Sequence, residues 1–345
     1  MITPQAALNR LIDGQALLYD EMVSLMRQIM SGQVTPVQLS AILIGLRMHG
    51  ESVSDIAAAA FVMRELVTPV PVRDRVHLVD TCGTGGDGAK TFNISTGAAL
   101  VAAAAGAKVA KHGGRSVSSS SGSADVLEAL GVNINLTAAQ VGQAIDEIGI
   151  GFMFGRNFHG GMRYVAPVRQ ELGVRTLFNI VAPLANPAGA ANQLIGVFHP
   201  DLVGLHARVL HQLGSQHVMI VHGRDGLDEI TLTGETLVAE CQQGEMHEYT
   251  IRPSQFGLQE SGLGTITALD ATQSAAMLLA VMENEPGPAR DIVVLNAGAA
   301  LYVCGKAPTL ATGIERARDA IASGAAKDKL HQLRDFSNQY GGVRA

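Results

Sequence analysis

Apolar positions recur at helical spacing through the first seventy residues. Met22, Leu25, Met26, Ile29 and Met30 fall at i, i+3, i+4, i+7 and i+8, and Leu39, Ile42, Leu43 and Leu46 repeat the pattern, so both segments predict amphipathic helices whose stripes face a core or an interface. Thr35-Pro36 supplies a cap followed by proline in the first turn, and Gly50 ends that helix. Pro69 and Pro71 interrupt the pattern, which places a boundary there. From Val76 the rhythm changes to short apolar runs alternating with helical stretches. Runs at Val76–Val79, Lys108–Ala110 and Gly151–Phe154, with a helix over Thr137–Ile148 between the second and third, predict a mostly parallel sheet. Residues 157–190 return to helix, with segments at Met162–Leu172 and Thr176–Val181, and are expected to rejoin the N-terminal helices. Strands at Gln193–Val197 and Val218–Val221 follow, separated by a helix over Pro200–Leu213. Short antiparallel strands are expected within Thr231–Pro253, and helices at Ala271–Val281, Ala297–Val303 and Gly313–Ala322. The expected fold is α/β: a small all-helical domain plus a larger domain with a mostly parallel central sheet covered by helices. The division is 1–72 with 157–190 for the first, and 73–156 with 191–345 for the second.

Two stretches carry chemistry. Asp80 to Thr96 joins a strand to a helix through Gly83, Gly85, Gly86 and Gly88, which let backbone amides approach an anion ahead of a helix N-terminus. Asn93, Ser95 and Thr96 can cap that helix, and a hydroxyl there can equally meet a phosphate oxygen or a magnesium ion. The spacing fits neither the Walker loop nor the dinucleotide fingerprint; taken alone, such a turn is equally a tight connection. The second stretch, Lys111 to Gly131, gathers Lys111, Arg115, two glycines and six serines, read as one loop before a helix. Consecutive anion loops suggest a ligand with more than one phosphate.

Composition narrows the classes. A 345-residue chain that is 47% hydrophobic buries a large core. The formal charge of −6 and the lack of tryptophan argue against a nucleic-acid surface. Cys82, Cys241 and Cys304 are three widely spaced cysteines, which fits neither a disulfide framework nor a zinc motif. Cys82 beside the first loop reads as a small apolar residue at a strand end rather than a nucleophile. With no signal-like N-terminus and no apolar run of about 18 residues, a cytoplasmic protein without membrane association is expected.

On Gly83-Thr84-Gly85-Gly86-Asp87, Asn93-Ile94-Ser95-Thr96, the Lys111–Gly131 segment, Val165–Arg169 with Leu172–Thr176, and Asp228-Glu229, the chain resembles the anthranilate phosphoribosyltransferases over essentially its whole length. The resemblance implies Mg²⁺-dependent displacement of pyrophosphate from 5-phosphoribosyl 1-pyrophosphate by the amino nitrogen of anthranilate, in tryptophan biosynthesis. A homodimer through the N-terminal helices is expected separately, because they carry more apolar stripe than a layer of roughly 70 residues plus one short insertion can bury by itself. The resemblance also implies a phosphoribosyl-pyrophosphate site of Gly83, Gly86, Asp87, Thr91, Asn93, Ile94, Ser95, Thr96, Lys111, His112, Gly113, Gly114, Arg115, Ser116, Val117, Ser118, Ser119 and Ser123. Anthranilate would meet Gly83, Gly114, His112, His159 and Arg169, the last through a planar guanidinium-carboxylate fork. Ser95, Asp228 and Glu229 would hold the metal, and no catalytic base or nucleophile is assigned. Two positions depart from the family pattern: Gly114 stands where Asn is usual and Ser120 where Lys is common. The alternatives are a pyrimidine nucleoside phosphorylase, which shares the architecture and the Lys-His-Gly-like loop, and a non-catalytic relative that binds nucleic acid. The first glycine loop and Arg169 favour the transferase over the former, and Asp228, Glu229 and the acidic charge count against the latter.

Overall fold

The computed structural model describes residues 2–115 and 121–341. Four helices come first, α1 (Pro4–Ile12), α2 (Tyr19–Met30), α3 (Pro36–His49) and α4 (Val53–Leu66). Their starts are written locally. Thr35 Oγ1 accepts the Gln38 amide while the Gln38 side chain accepts the Thr35 amide, and Ser52 with Asp55 repeats the reciprocal arrangement; each such cap stabilises a helix by about 1 kcal/mol. The α2 and α3 stripes are fully buried within the chain, so they are core and not interface.

The larger part is a seven-stranded sheet in the order β3-β2-β1-β4-β5-β6-β7, comprising β1 (Leu78–Asp80), β2 (Lys108–Gly113), β3 (Ile150–Phe154), β4 (Asn192–Gly196), β5 (His217–Gly223), β6 (Thr236–Gln242) and β7 (Glu245–Ile251). The first five strands in that order run parallel, and β6 and β7 add an antiparallel hairpin to the edge. Between them lie α5 (Ile94–Ala104), α6 (Ser123–Ala129), α7 (Ala138–Ile148), α8 (Gly155–Phe158), α9 (Met162–Leu172), α10 (Leu177–Val181) and α11 (Leu202–Gln212). The chain closes with α12 (Ala271–Met282), α13 (Pro288–Val303), α14 (Leu310–Ala322) and α15 (Ala325–Asn338). One face of the sheet packs on α5, α13 and α15, as the joint burial of Val109, Leu100, Val294 and Leu333 shows. The other face, through Ile195, Val218 and Ile220, shares a core with α2, α3, α4, α9 and α10. The helical layer and the sheet are therefore continuous, and α9 and α10 share that core with the N-terminal helices through Val165, Val168, Leu177 and Phe178.

Four local expectations are corrected. Val76 is 63% exposed and precedes β1, which is only three residues long. β2 extends through Lys111, His112 and Gly113, so these residues belong to a buried strand and not to the following loop; registered pairing with Phe152, Met153 and Phe154 of β3 carries the strand three residues further. α13 begins nine residues before Ala297, at Pro288. α15 was not anticipated at all, although Ala326, Leu330, Leu333 and Phe336 are its buried face.

Candidate active site

The parallel strands end on one side, and the loops that leave them converge there. β1 delivers Asp80 and then the glycine loop. Gly85, Gly86 and Gly88 all have positive φ, a conformation that glycine takes without steric penalty. Gly83 is required for a different reason. A side chain there would press on the Asp228 carboxylate at 3.0 Å and on the Gly196 carbonyl at 3.1 Å, and one at Gly196 would overlap the Asp228 carbonyl at 1.5 Å. The first loop, the end of β4 and the Asp228-Glu229 segment after β5 are thus packed backbone to backbone. Thr84 locks the junction, its amide donating to Gly196 O (2.9 Å) and its hydroxyl accepting from the Phe198 amide (3.1 Å). Asn296 holds the far end of the acidic segment by bonding both the amide and the carbonyl of Ile230.

Amides expected to be open to phosphate are partly taken. Asp228 Oδ2 accepts the Gly85 amide at 2.7 Å, and Glu229 Oε1 accepts the Ser95 amide at the start of α5, at 3.1 Å. Asp87 joins them, its Oδ2 lying 3.5 Å from the Asp228 amide, so it is a third carboxylate of the cluster. Burial is the main cause that pushes Asp228 well above the usual carboxylate range, and the charges of Asp87 and Glu229 add to it. Burial likewise pushes Glu229 up to about 7, with Lys111 opposing and Asp87 adding. An all-oxygen set of crowded carboxylates beside a serine hydroxyl is what a hard dication such as Mg²⁺ relieves, so the residues present fit that ion.

Lys111 lies buried under the same loop. Its Nζ donates to Thr81 O at 3.2 Å and reaches Ser95 Oγ at 3.3 Å. Asn93 does not cap α5 with its side chain. Instead its Oδ1 accepts from Ser121 and Ser274 hydroxyls, both at 2.7 Å, which ties the two serine-bearing segments to the first loop. Ile94 is buried in the core and offers only backbone. Thr91 bridges to Thr267, and Thr96 keeps a buried hydroxyl without a partner among the described residues. Gly113 packs against Phe152 and Ser123. Arg115 is turned away onto α6, paired with Asp125 at 2.8 Å and Glu128 at 2.6 Å. Ser116, Val117, Ser118, Ser119 and Ser120 lie outside the described residues.

His112 and His159 face one another with ring centroids 5.0 Å apart. Burial lowers both, His112 well below the ordinary imidazole value and His159 to about 4, so both are neutral near pH 7. Both His159 nitrogens and His112 Nδ1 are buried without partners among the described residues. The side chain of Arg169, in the last turn of α9, makes no hydrogen bond or ion pair with the described residues. Its guanidinium lies 6.0 Å from the Phe178 ring, and burial lowers its pKa. An unpaired, partly desolvated guanidinium is costly unless it awaits an anion. Just beyond it, Arg175 stacks over Phe198 at 4.2 Å and donates to Gly86 O, which carries the end of α9 to the first glycine loop.

Asp80, Asn186 and Ser274 join the site although none is among the residues expected to bind substrate or metal. Asp80 is wholly buried and accepts the His112 amide at 3.1 Å and Asn186 Nδ2 at 2.6 Å. A charged residue ending an apolar run is a readable signal for the first. No local signal marks the other two.

Residues 5–67 match the helical bundle domain of a glycosyl transferase family, and residues 75–327 match its a/b domain. The anthranilate phosphoribosyltransferases of Thiobacillus denitrificans and Chromobacterium violaceum are each 65% identical to the chain, over 98% and 99% of it and 99% and 100% of their own length. Among solved structures, the Thermus thermophilus enzyme superposes with a TM-score of 0.91 at 44% identity, covering 96% of this chain and 99% of that one. The Saccharomyces cerevisiae enzyme in complex with PRPP and Mg superposes with a TM-score of 0.89 at 27% identity, covering 97% and 98%. With two domain models that together span most of the chain and relatives at 65% identity covered almost end to end, the chain belongs to the anthranilate phosphoribosyltransferase family.

Proposed function

We propose that this protein transfers the 5-phosphoribosyl group from 5-phosphoribosyl 1-pyrophosphate to the amino nitrogen of anthranilate, giving N-(5-phosphoribosyl)anthranilate and pyrophosphate, in L-tryptophan biosynthesis. The observation that supports the reading is a glycine loop seated on a carboxylate pair, Asp228 holding its Gly85 amide and Glu229 the Ser95 amide at the start of α5, with Arg175 tying the segment after Arg169 to Gly86 of the same loop.

The glycine loop from Gly83 to Asp87, the segment Thr91–Thr96 and the Lys111 strand end hold the phosphoribosyl pyrophosphate, with backbone amides and the Lys111 ammonium supplying the positive field. Asp228 and Glu229, with Asp87 beside them and Ser95 Oγ within reach, would hold Mg²⁺. When bound, that ion would supply charge neutralisation for the departing pyrophosphate. Leaving-group departure develops positive charge at the ribose carbon, so the remaining work is alignment of the amine and exclusion of water. Arg169 takes the anthranilate carboxylate, and the neutral rings of His112 and His159 line its aromatic face. The aromatic amine carries its lone pair unprotonated at pH 7, so no general base is required.

The proposed division is a helical unit of 1–72 with 157–190 and an α/β unit of 73–156 with 191–345. We place a homodimer contact on the helical unit. The buried α2 and α3 stripes do not serve it, but Ile12, Leu18, Val37 and Met48 are 66–84% exposed and are the apolar groups a second copy would cover. Incubating the purified protein with anthranilate, phosphoribosyl pyrophosphate and Mg²⁺ tests the reading. Loss of anthranilate fluorescence with stoichiometric pyrophosphate release is expected, and release of pyrophosphate without consumption of anthranilate would overturn it.

A further inference from the structure

Beneath the carboxylate cluster lies a second group of metal-ligating side chains of different chemistry. An Asp80 carboxylate oxygen, the Cys82 Sγ and a ring nitrogen of His112 all lie within 4.8 Å of one another. β1 and the start of its loop supply the first two, and the neighbouring parallel strand β2 supplies the third, so the sheet itself fixes their spacing. The group is held in place by bonds that leave ligand lone pairs open. Asp80 accepts from the His112 amide and from Asn186, while Cys82 Sγ makes one long contact of 3.6 Å to Gly83 O. His112 is 4% exposed and its Nδ1 has no partner among the described residues, an imidazole nitrogen left unsatisfied at the cost of its desolvation.

We propose that Asp80, Cys82 and His112 form a site for a thiophilic divalent cation of the zinc class, distinct from the oxygen-only carboxylate set that suits magnesium. One carboxylate, one thiolate and one imidazole make the mixed N/O/S donor set that Zn²⁺ takes and Mg²⁺ does not. The three ligands leave a fourth tetrahedral position, and Cys82, the only one of the three with appreciable exposure, is the side from which a water would fill it. Binding exchanges the Cys82 S–H proton for a metal–sulfur bond and releases that proton to solvent. Cys241 and Cys304 belong to no such cluster among the described residues, so the other two thiols are internal controls. Occupancy would commit the His112 ring to the metal. That this inhibits turnover rests on the proposed transferase reading, whereas the binding does not.

The test is made on the full chain in buffer with excess Mg²⁺, using Zn²⁺ in equilibrium dialysis and Co²⁺ as a spectroscopic probe. One equivalent of Zn²⁺ is expected to bind, and Co²⁺ is expected to give a thiolate charge-transfer band in the near ultraviolet. Cys82→Ala should lose the band and weaken Zn²⁺ binding by about 100-fold or more, since loss of mere outer-shell partners already costs 10–100-fold; Cys304→Ala should keep both. Should Cys82→Ala not fold, native-state alkylation of the unaltered protein gives the same answer, with Zn²⁺ expected to slow modification of Cys82 alone. Displacement of Zn²⁺ by Mg²⁺, an unchanged Cys82→Ala variant, or a Cys82 thiol that Zn²⁺ does not shield would each overturn the assignment.

Discussion

Replacing Asp228 and Glu229 by their amides, Asp228→Asn with Glu229→Gln, should abolish turnover and at the same time make the metal-free protein more stable. Both carboxylates are raised because the fold withdraws them from water and sets them beside each other and Asp87. A raised acid contributes stability that is present below its unfolded pKa and is lost as pH climbs through the folded one. For Glu229 that window runs from 4.5 to about 7. Linkage across it gives about 3 kcal/mol at pH 8, reduced to about 2 kcal/mol once solvent at the cleft mouth is allowed for. The amides keep the hydrogen bonds, since Asn and Gln oxygens can still accept the Gly85 and Ser95 amides now bonded at 2.7 and 3.1 Å. Thermal melts in EDTA should therefore show the variant higher by a few degrees at pH 8 and level with the parent near pH 4. Mg²⁺ should raise the parent's melting temperature and leave the variant's unmoved. A variant destabilised at pH 8 in EDTA, or one that still gains stability from Mg²⁺, would refute the reasoning.

Arg169→Ala should raise the anthranilate KM by roughly thirty-fold, about 2 kcal/mol for a charge-assisted pair, with a smaller effect on the KM for phosphoribosyl pyrophosphate; equal effects on both would place Arg169 elsewhere. Gly114→Asn should lower the anthranilate KM several-fold, about 1 kcal/mol, with little change in kcat. A side chain at Gly114 meets nothing within 4 Å among the described residues and its φ is not left-handed, so an unchanged or raised KM would show that another group already fills the role. Light scattering at micromolar concentration should give the mass of a dimer, and a Val37→Asp with Met48→Asp variant that of a monomer; a monomeric parent would refute the contact.

The architecture was legible where periodicity and caps agree. The Met22–Met30 and Leu39–Leu46 stripes, Thr35-Pro36 and the strand–loop–helix order around Gly83 all reappear in place. What failed to show were features set by distant partners. Lys111 and His112 look like loop residues because they are polar, and only pairing with β3 and burial make them strand. α15 was missed because polar side chains separate its anchors Ala326, Leu330, Leu333 and Phe336, although their spacing is helical. The acidic pair was readable as a ligand set, but its seat on the Gly85 and Ser95 amides joins residues 143 and 134 positions apart, and no local pattern encodes such a contact. The same holds for Ser274, which meets Asn93 across 181 positions.

A crystal structure of the protein with phosphoribosyl pyrophosphate and Mg²⁺ tests the central claim most directly. The account predicts pyrophosphate on the Gly83–Thr96 segment, with the metal between its oxygens and the Asp228 and Glu229 carboxylates and Arg169 left free for the second substrate. Pyrophosphate seated away from that loop, or bound metal that leaves Asp228 and Glu229 untouched, would contradict it.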